Sequence, residues 1–333
     1  MTFLAVAMSA APARLLTGRF WRDYAVTMRP YLCFVSGFAG LAGLAMAPDV
    51  PPVAALALAA AFFLSYGFGQ ALTDCSQTDT DALSAPYRPL VRGALRPGEV
   101  MGVSLAGLGA CGIAVTVWQP INLPLAALCV LGLATYTPFK RRWWAGPFYN
   151  AWIVTLLSLV AYLAGAGAAG ARPAWPAGLG AALAVVFFGY ANFVLAGYFK
   201  DVEADRATGY RTLPVVFGRA PAARVSDAFA GLAWLAAAAV VAGRWPVIGI
   251  AGRAAAGGLL GAGGVVSLVA QARLHRVRDD AGAHRAVVPV LHAELLGLAA
   301  VAVAYRPEWT LALLALHATF AALLARRPAR AQV

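Results

Sequence analysis

VAALALAAAFFLSYGFGQALTDCSQTDTDALSAPYRPLVRG, residues 53–93, decides how this chain folds. An apolar stretch from Val53 to Thr73 is long enough to cross a bilayer as a helix. Directly after it come Asp74, Asp79 and Asp81, and then a basic segment with Arg88 and Arg92. Carboxylates at the end of a membrane helix are costly to desolvate, so they point to a charged ligand. The arrangement recurs after the apolar stretch from Leu179 to Phe199, where Lys200 introduces Asp201, Glu203 and Asp205 and the cations Arg206 and Arg211. Six of the 14 acidic residues of the chain lie in these two places.

Working outward, 61% of the 333 residues are hydrophobic and 12% charged, with a mean hydropathy of +0.72. That is too apolar for a soluble domain. The sequence predicts an all-α, polytopic, integral membrane bundle. Its predicted spans are 31–46, 53–73, 101–118, 123–136, 148–164, 179–199, 225–241, 247–270, 287–304 and 311–324, the last giving a count of nine or ten. Residues 1–30 read as an N-terminal interfacial segment and 31–330 as one transmembrane domain, with a first half at about 31–140, a second at about 148–270 and C-terminal helices over 287–325. The two halves each carry a hydrophobic helix, an acidic cluster and a basic loop, which predicts two pseudo-repeated bundles facing a central cavity.

A net charge of +12 would suggest nucleic acid in a soluble protein. Here the cations follow the loops, as juxtamembrane Lys and Arg do on the cytoplasmic side, so no nucleic-acid partner is expected. With the N-terminus inside, the loops of Arg88, Lys140, Arg206 and Arg276 and the C-terminal Arg326, Arg327 and Arg330 fall on one side, leaving Arg172, Arg244, Arg253 and Arg306 for the other. Both acidic motifs then face the cytoplasm. The apolar Phe3 to Pro12 lacks the preceding positive charge of a secretory signal. Cys33, Cys75, Cys111 and Cys129 show no pairing or metal spacing and read as free thiols, three of them packing at lipid depth.

Asp74 and Asp81, seven apart, align on a helix, whereas Asp79 does not; a helix that frays after Asp74 would let all three converge. Asp201 and Asp205 are one turn apart, and Glu203 points elsewhere. Mg2+ takes hard oxygen ligands, commonly one or two carboxylates plus substrate phosphates, so two facing clusters suit a metal-bridged diphosphate. Arg88 and Lys140 read as phosphate ligands. Arg142, Arg219, Arg276 and the C-terminal arginines read as anchors to lipid headgroups. Tyr66, Phe68, Tyr136, Phe139, Phe187, Phe188, Tyr190, Phe193 and Tyr198 gather near one end of the helices, where aromatic faces stabilise a cation by roughly 0.5 to 2 kcal/mol each.

TDCSQTDTDALSAPYRPLVRG from Thr73 resembles the first aspartate-rich motif of the UbiA superfamily of intramembrane prenyltransferases, NDxxDxxxD followed by PxRP. KDVEADRATGYRTLPVVFGR from Lys200 resembles the second, DxxxDxxxGxxTLP. MRP at Met28 and YTPFKRR from Tyr136 are further likenesses, in the family's order. Anchored on Asp81, Thr73 stands where the family has Asn and Gln77 where it has the central Asp; the alternative, with Gln70 at the Asn position, loses the third Asp to Thr78. Asp79 is then a candidate to supply the missing carboxylate.

The resemblance implies about nine helices around a central cavity with cytoplasmic cap loops, open sideways to lipid, and Mg2+-dependent ionisation of a prenyl diphosphate followed by attack from a lipophilic, commonly aromatic, acceptor. By residue, it implies Mg2+ at Asp74, Asp81, Asp201 and Asp205, with Gln77 and Asp79 as helpers. It implies diphosphate at Arg88, Lys140, Lys200 and Arg211, Arg29 near the entrance and Tyr136 near the reacting carbon. A terpene cyclase of the same superfamily is the alternative. Transport would place charge at the midplane, where only Arg253 and the His292/Glu294 pair qualify; that pair does not share a helix face and reads as packing.

Overall fold

The computed structural model describes residues 12–172 and 174–327, so Phe3 to Ala11 and Arg330 lie outside the described residues. Apolar runs interrupted by Pro, Gly and charge become helices, and no strand occurs among the described residues. Proline opens several of them, since its missing N–H costs nothing at a helix start: α3 runs Pro52–Asp74 and α5 runs Pro97–Thr116. Helices α6 (Asn122–Lys140), α7 (Ala145–Ala168) and α8 (Leu179–Tyr198) follow. The second half continues through α11 (Arg219–Arg244) and α12 (Ile250–Leu274) to α13 (Asp280–Tyr305) and α14 (Thr310–Ala325). Nine helices among the described residues are long and apolar enough to cross a membrane, counting α14 with the turn at Pro307–Trp309. The chain is an integral, multi-pass membrane protein.

The first predicted span differs. α2 covers only Cys33–Ala45, a length short of the hydrocarbon core, and it pairs with α1 (Gly18–Met28) across a 42° bend. The 1–30 segment therefore contains a helix that packs, with Phe20 and Tyr24 buried and the Tyr24 hydroxyl 2.9 Å from that of Ser104 on α5. Its composition gave no hint of this, because the polar face of α1 carries Arg19, Arg22 and Asp23.

Neighbours in the bundle run α2, α3, α5, α6, α7, α8, α11, α12, α13 and back to α2, with α13 the most enclosed. Lipid tails are as apolar as Leu, so close backbone approach and internal polar bonds hold such helices together. A methyl group on Gly43 would overlap the Ser158 carbonyl oxygen, and this lets α2 lie tightly on α7. Asn122 donates to the carbonyls of Val115 (3.1 Å) and Val160 (3.3 Å), tying α5, α6 and α7. Two short helices cap one end of the ring, α4 (Thr78–Ser84) and α9 (Val202–Ala207); α10 (Leu213–Phe217) follows α9. Arg219, expected from sequence to anchor a lipid headgroup, pairs with Asp280, whose other oxygen accepts from the Glu203 amide at 3.0 Å and so ties α9 to the starts of α11 and α13.

Candidate active site

Each acidic motif begins where a spanning helix stops. α3 ends at Asp74, and the chain turns into α4 with Gln77 as the residue before its first turn (φ −124°, ψ 18°). α8 ends at Tyr198, and Asp201 holds the same place before α9 (φ −119°, ψ 14°). The correspondence extends along both loops. The Gln77 amide donates to the Asp74 carbonyl and the Asp201 amide to that of Tyr198; the Asp81 amide donates to Gln77 and the Asp205 amide to Asp201. Seven residues on, Arg88 pairs with Asp81 and the Thr212 hydroxyl donates to Asp205 at 3.1 Å. Gln77 is thus the local equivalent of Asp201. The two caps meet at Thr80 and Thr208, whose hydroxyls are 3.0 Å apart.

Arg29 sits at the α1–α2 bend with φ 51°, a left-handed conformation unusual for a side-chain-bearing residue. Its Nη2 donates to both oxygens of Asp74, at 2.9 and 2.7 Å, and Gln70 Nε2 donates to the same carboxylate at 2.6 Å. Arg88 joins the two aspartates, pairing with Asp81 and lying 3.8 Å from Asp74. Across the cavity, Lys140 links the halves. Its Nζ donates to Gln77 Oε1 at 3.2 Å and lies 3.7 Å from Asp205 Oδ1. Burial lifts the carboxyl of Asp81 against the pull of Arg88, and raises that of Asp205 to about 6 against Lys140. Burial, joined by the charges of Arg29, Arg88 and Lys140, lowers the Lys200 ammonium to about 8 despite Asp201.

These groups form the polar end of a cavity running into the bundle. Arg29, Thr73, Asp74, Gln77, Asp81, Arg88, Lys140, Lys200 and Asp201 all line it. Tyr66, Tyr136, Tyr190, Phe193 and Tyr198 come next, the hydroxyls of Tyr136 and Tyr198 2.7 Å apart. Beyond them the wall is apolar, with Leu108, Val115, Leu133, Ile153 and Leu157. Cys111 and Cys129 also belong to this wall rather than to lipid-facing packing alone. All four cysteines are free. Phe68, Phe139, Phe187 and Phe188 are not among the lining residues.

The structure separates other candidates from the cavity. Asp79 does not converge with Asp74 and Asp81; it faces outward to Arg141 (3.0 Å) and Tyr210 (3.3 Å). The expectation that fraying would gather all three aspartates fails because α4 restarts the helix and turns position 79 away. Arg211 is exposed, its amide bonded to the Arg141 carbonyl, outside the cavity. Asp205 lies behind the wall, fully buried, with Oδ1 lacking a hydrogen bond. Sequence reading missed Gln70 as a partner of Asp74, although a polar residue one turn before it on the same helix face was a legible signal. It also missed Asn150, a lining amide in an otherwise apolar span.

Among the described residues no three His, Cys, Asp or Glu side chains close a metal cage. The donor set nevertheless fits Mg2+, which needs few carboxylates when phosphate oxygens complete its shell. Asp74, Asp81 and Asp201 present hard oxygens to the cavity, balanced by Arg29, Arg88, Lys140 and Lys200. Such a near-neutral lining accepts a polyanion best when divalent cations enter with it.

The profile of the UbiA prenyltransferase family matches residues 33–292. Digeranylgeranylglyceryl phosphate synthase of Halobacterium salinarum is 36% identical over 184 residues, 54% of this chain and 62% of that protein, so the chain spans less than two thirds of this relative. Chlorophyll synthase of Arabidopsis thaliana is 30% identical, over 46% of this chain and 41% of its own. Among solved structures, the UbiA homologue of Archaeoglobus fulgidus bound to GPP and Mg2+ superposes with a TM-score of 0.60 at 19% identity, covering 84% of this chain and 99% of the other. The profile spans both acidic motifs and most of the sequence, and the chain belongs to the UbiA prenyltransferase family.

Proposed function

We propose that this protein is a Mg2+-dependent prenyltransferase, moving a prenyl group from its diphosphate to a small lipophilic, aromatic acceptor within the bilayer. The observation that carries the reading is one cavity with a charged end, where Lys140 links Gln77 to Asp205, and an apolar end that suits an isoprenoid tail. The digeranylgeranylglyceryl phosphate synthases among the relatives and the GPP and Mg2+ of the A. fulgidus neighbour support it.

Asp74, Asp81 and Asp201 would hold Mg2+, with the amide oxygen of Gln77 as a neutral helper, while Asp205, behind the wall, would position Lys140 rather than touch the metal. When bound, the metal neutralises phosphate oxygens and makes diphosphate a better leaving group. Arg29, Arg88, Lys140 and Lys200 would grip those oxygens through charge-assisted hydrogen bonds. The allylic C–O bond breaks with its electron pair leaving on diphosphate. An electron pair of the acceptor forms the new bond, and the acceptor then loses a proton. Tyr136, Tyr198 and Tyr190 offer ring faces and oxygens to the positive charge that develops at the allylic carbon. The apolar wall excludes the water that would otherwise capture it. We further infer that the motif end of the bundle is cytoplasmic, because most loop cations flank it, and that the matching loops at α3–α4 and α8–α9 reflect two pseudo-repeated halves.

The test is incubation of the purified protein with C10 to C20 prenyl diphosphates and Mg2+, with and without an aromatic acceptor. Prenylated acceptor that disappears with EDTA or with Asp205→Asn supports the reading. A cyclic hydrocarbon or alcohol formed without acceptor would replace it with terpene cyclisation, and metal-independent turnover would remove the metal.

A further inference from the structure

A second cavity adjoins the first on the far side of the Arg29–Asp74–Asp81–Arg88 cluster, which it shares as a wall. Its other walls come from three separated parts of the chain: Val26 and Tyr31 at the α1–α2 bend, Tyr87 and Leu90 after α4, and the last turn and end of α14, which bring Leu323, Arg326 and Arg327. The lining is largely apolar apart from the guanidinium groups and phenols. Asp74 and Asp81 are matched by Arg29 and Arg88. No ion pair joins Arg326 or Arg327 to a described carboxylate, so the described lining holds four guanidinium groups against two carboxylates. Arg327 Nη1 is buried without a hydrogen-bond partner among the described residues. A buried guanidinium N–H is costly to leave unpaired, and here it belongs to a side chain lining the chamber.

We propose that this chamber is the subsite of the acceptor, and that the acceptor, beside its reacting aromatic ring, carries a phosphate or carboxylate held by Arg326 and Arg327 while its apolar body lies against Leu323, Val26 and the rings of Tyr31 and Tyr87. The inference rests on the prenyl-transfer reading, and it adds a specificity element from the C-terminal end of the chain, beyond both acidic motifs. A paired guanidinium site matches a planar carboxylate or a phosphate, and its apolar surroundings favour an amphiphile over a small free anion. Because the shared wall is the Asp74/Asp81 cluster, a headgroup fixed at Arg326 and Arg327 would orient the acceptor toward the diphosphate end of the first cavity.

The experiment uses the full chain in detergent, titrated calorimetrically with dodecyl phosphate while geranyl diphosphate and Mg2+ saturate the first cavity. Dodecyl phosphate should bind wild type, and the Arg326→Gln/Arg327→Gln double variant should bind it roughly tenfold to a hundredfold more weakly, the loss expected for charge-assisted hydrogen bonds. Arg326→Lys/Arg327→Lys should recover part of the affinity, 1-dodecanol should bind both proteins alike, and geranyl diphosphate affinity should change less than about threefold. Equal dodecyl phosphate affinity in wild type and the Gln double variant overturns the proposal. So does displacement of dodecyl phosphate by an equal concentration of inorganic phosphate, which would make this a free-anion site. If wild type holds dodecyl phosphate but not geranyl diphosphate, the prenyl-transfer reading falls and takes the acceptor role with it, while the headgroup site stands.

Discussion

Replacing Lys140 by Met tests whether the two halves are joined through one buried cation. The substitution keeps the length of the side chain and removes its charge. Lys140 has 8% of its side chain exposed and Asp205 none, and their charged atoms are 3.7 Å apart. Removing one partner of a buried pair typically costs about 3 to 5 kcal/mol, since the other charge is left in a poor solvent. Asp205 then keeps only the Thr212 hydroxyl, with its second oxygen unbonded. Protonation sets a ceiling. The Asp205 carboxyl is already raised to about 6, so protonating it in the folded protein at pH 7 costs only about 1.4 kcal/mol, and the penalty from this source cannot exceed that figure. The lost bond to Gln77 adds about 1 kcal/mol.

The assay is denaturant unfolding in detergent with EDTA present, followed by tryptophan fluorescence. Lys140→Met should lose about 2 to 3 kcal/mol, whereas Lys140→Met/Asp205→Asn should recover about 1 of them, because the amide removes the stranded charge. The double variant should fold yet fail to turn over prenyl diphosphate. Single penalties that simply add, or a Lys140→Met variant within about 0.5 kcal/mol of wild type, would show that Lys140 and Asp205 are not energetically coupled and that the bridge between the halves is incidental.

Gln77→Asp should tighten Mg2+ binding, since it restores at position 77 the carboxylate that Asp201 supplies in the other half; unchanged metal affinity in a calorimetric titration with geranyl diphosphate would refute that equivalence. Asp79→Asn, outside the cavity with Arg141 and Tyr210, should reduce turnover by the same small factor in the wild-type and Gln77→Asp backgrounds, and a larger loss in wild type would return Asp79 to the metal site. Gly146→Ala should displace Tyr198, whose hydroxyl occupies the space of the added methyl, and cost about 1 to 3 kcal/mol along with much of the turnover; a fully active variant of wild-type stability would mean that the Tyr136–Tyr198 pair is not held from α7. Single cysteines at Arg92 and Arg206, in a background without native thiols, should react with an impermeant maleimide only after cells are permeabilised, and labelling of intact cells would invert the orientation.

What the sequence made legible was set by local rules. Apolar length located the spanning helices, down to the last one, and the positions of Asp74 and Asp201 just after two of them located the site. Asp74 and Asp81 do approach each other as the 3.6-residue period expects, but for another reason: they converge across the break between α3 and α4, with Arg88 between them, and not along one helix. What stayed hidden depends on contacts between distant segments. Nothing local to Arg29 says that its backbone turns left-handed to reach Asp74, 45 positions away. Arg211 has the same basic context as Lys200, yet one is exposed and the other buried, because α8 carries position 200 to the cavity while the chain beyond α9 turns position 211 toward Arg141. Arg326 and Arg327 read as headgroup anchors for want of any local sign that α14 ends beside Tyr31.

The matched loops also explain how the first motif tolerates Gln77. At Asp201 the corresponding loop keeps its carboxylate, and its Asp205 is held by a neutral hydroxyl from Thr212 together with Lys140. The first loop has traded in the opposite direction, losing a carboxylate at position 77 while Asp81 is held by the cation Arg88 and Asp74 by Arg29. A carboxylate at 77 would compete with Asp205 for the single ammonium of Lys140. With an amide there, Lys140 accepts no such choice: it donates a hydrogen bond to Gln77 and keeps its charge for Asp205, the one acidic residue of the motifs that lies wholly out of water. The substitution that looks like a defect in the first motif thereby supports the buried carboxylate of the second, and the two motifs are better understood as one charge network than as two copies of a site.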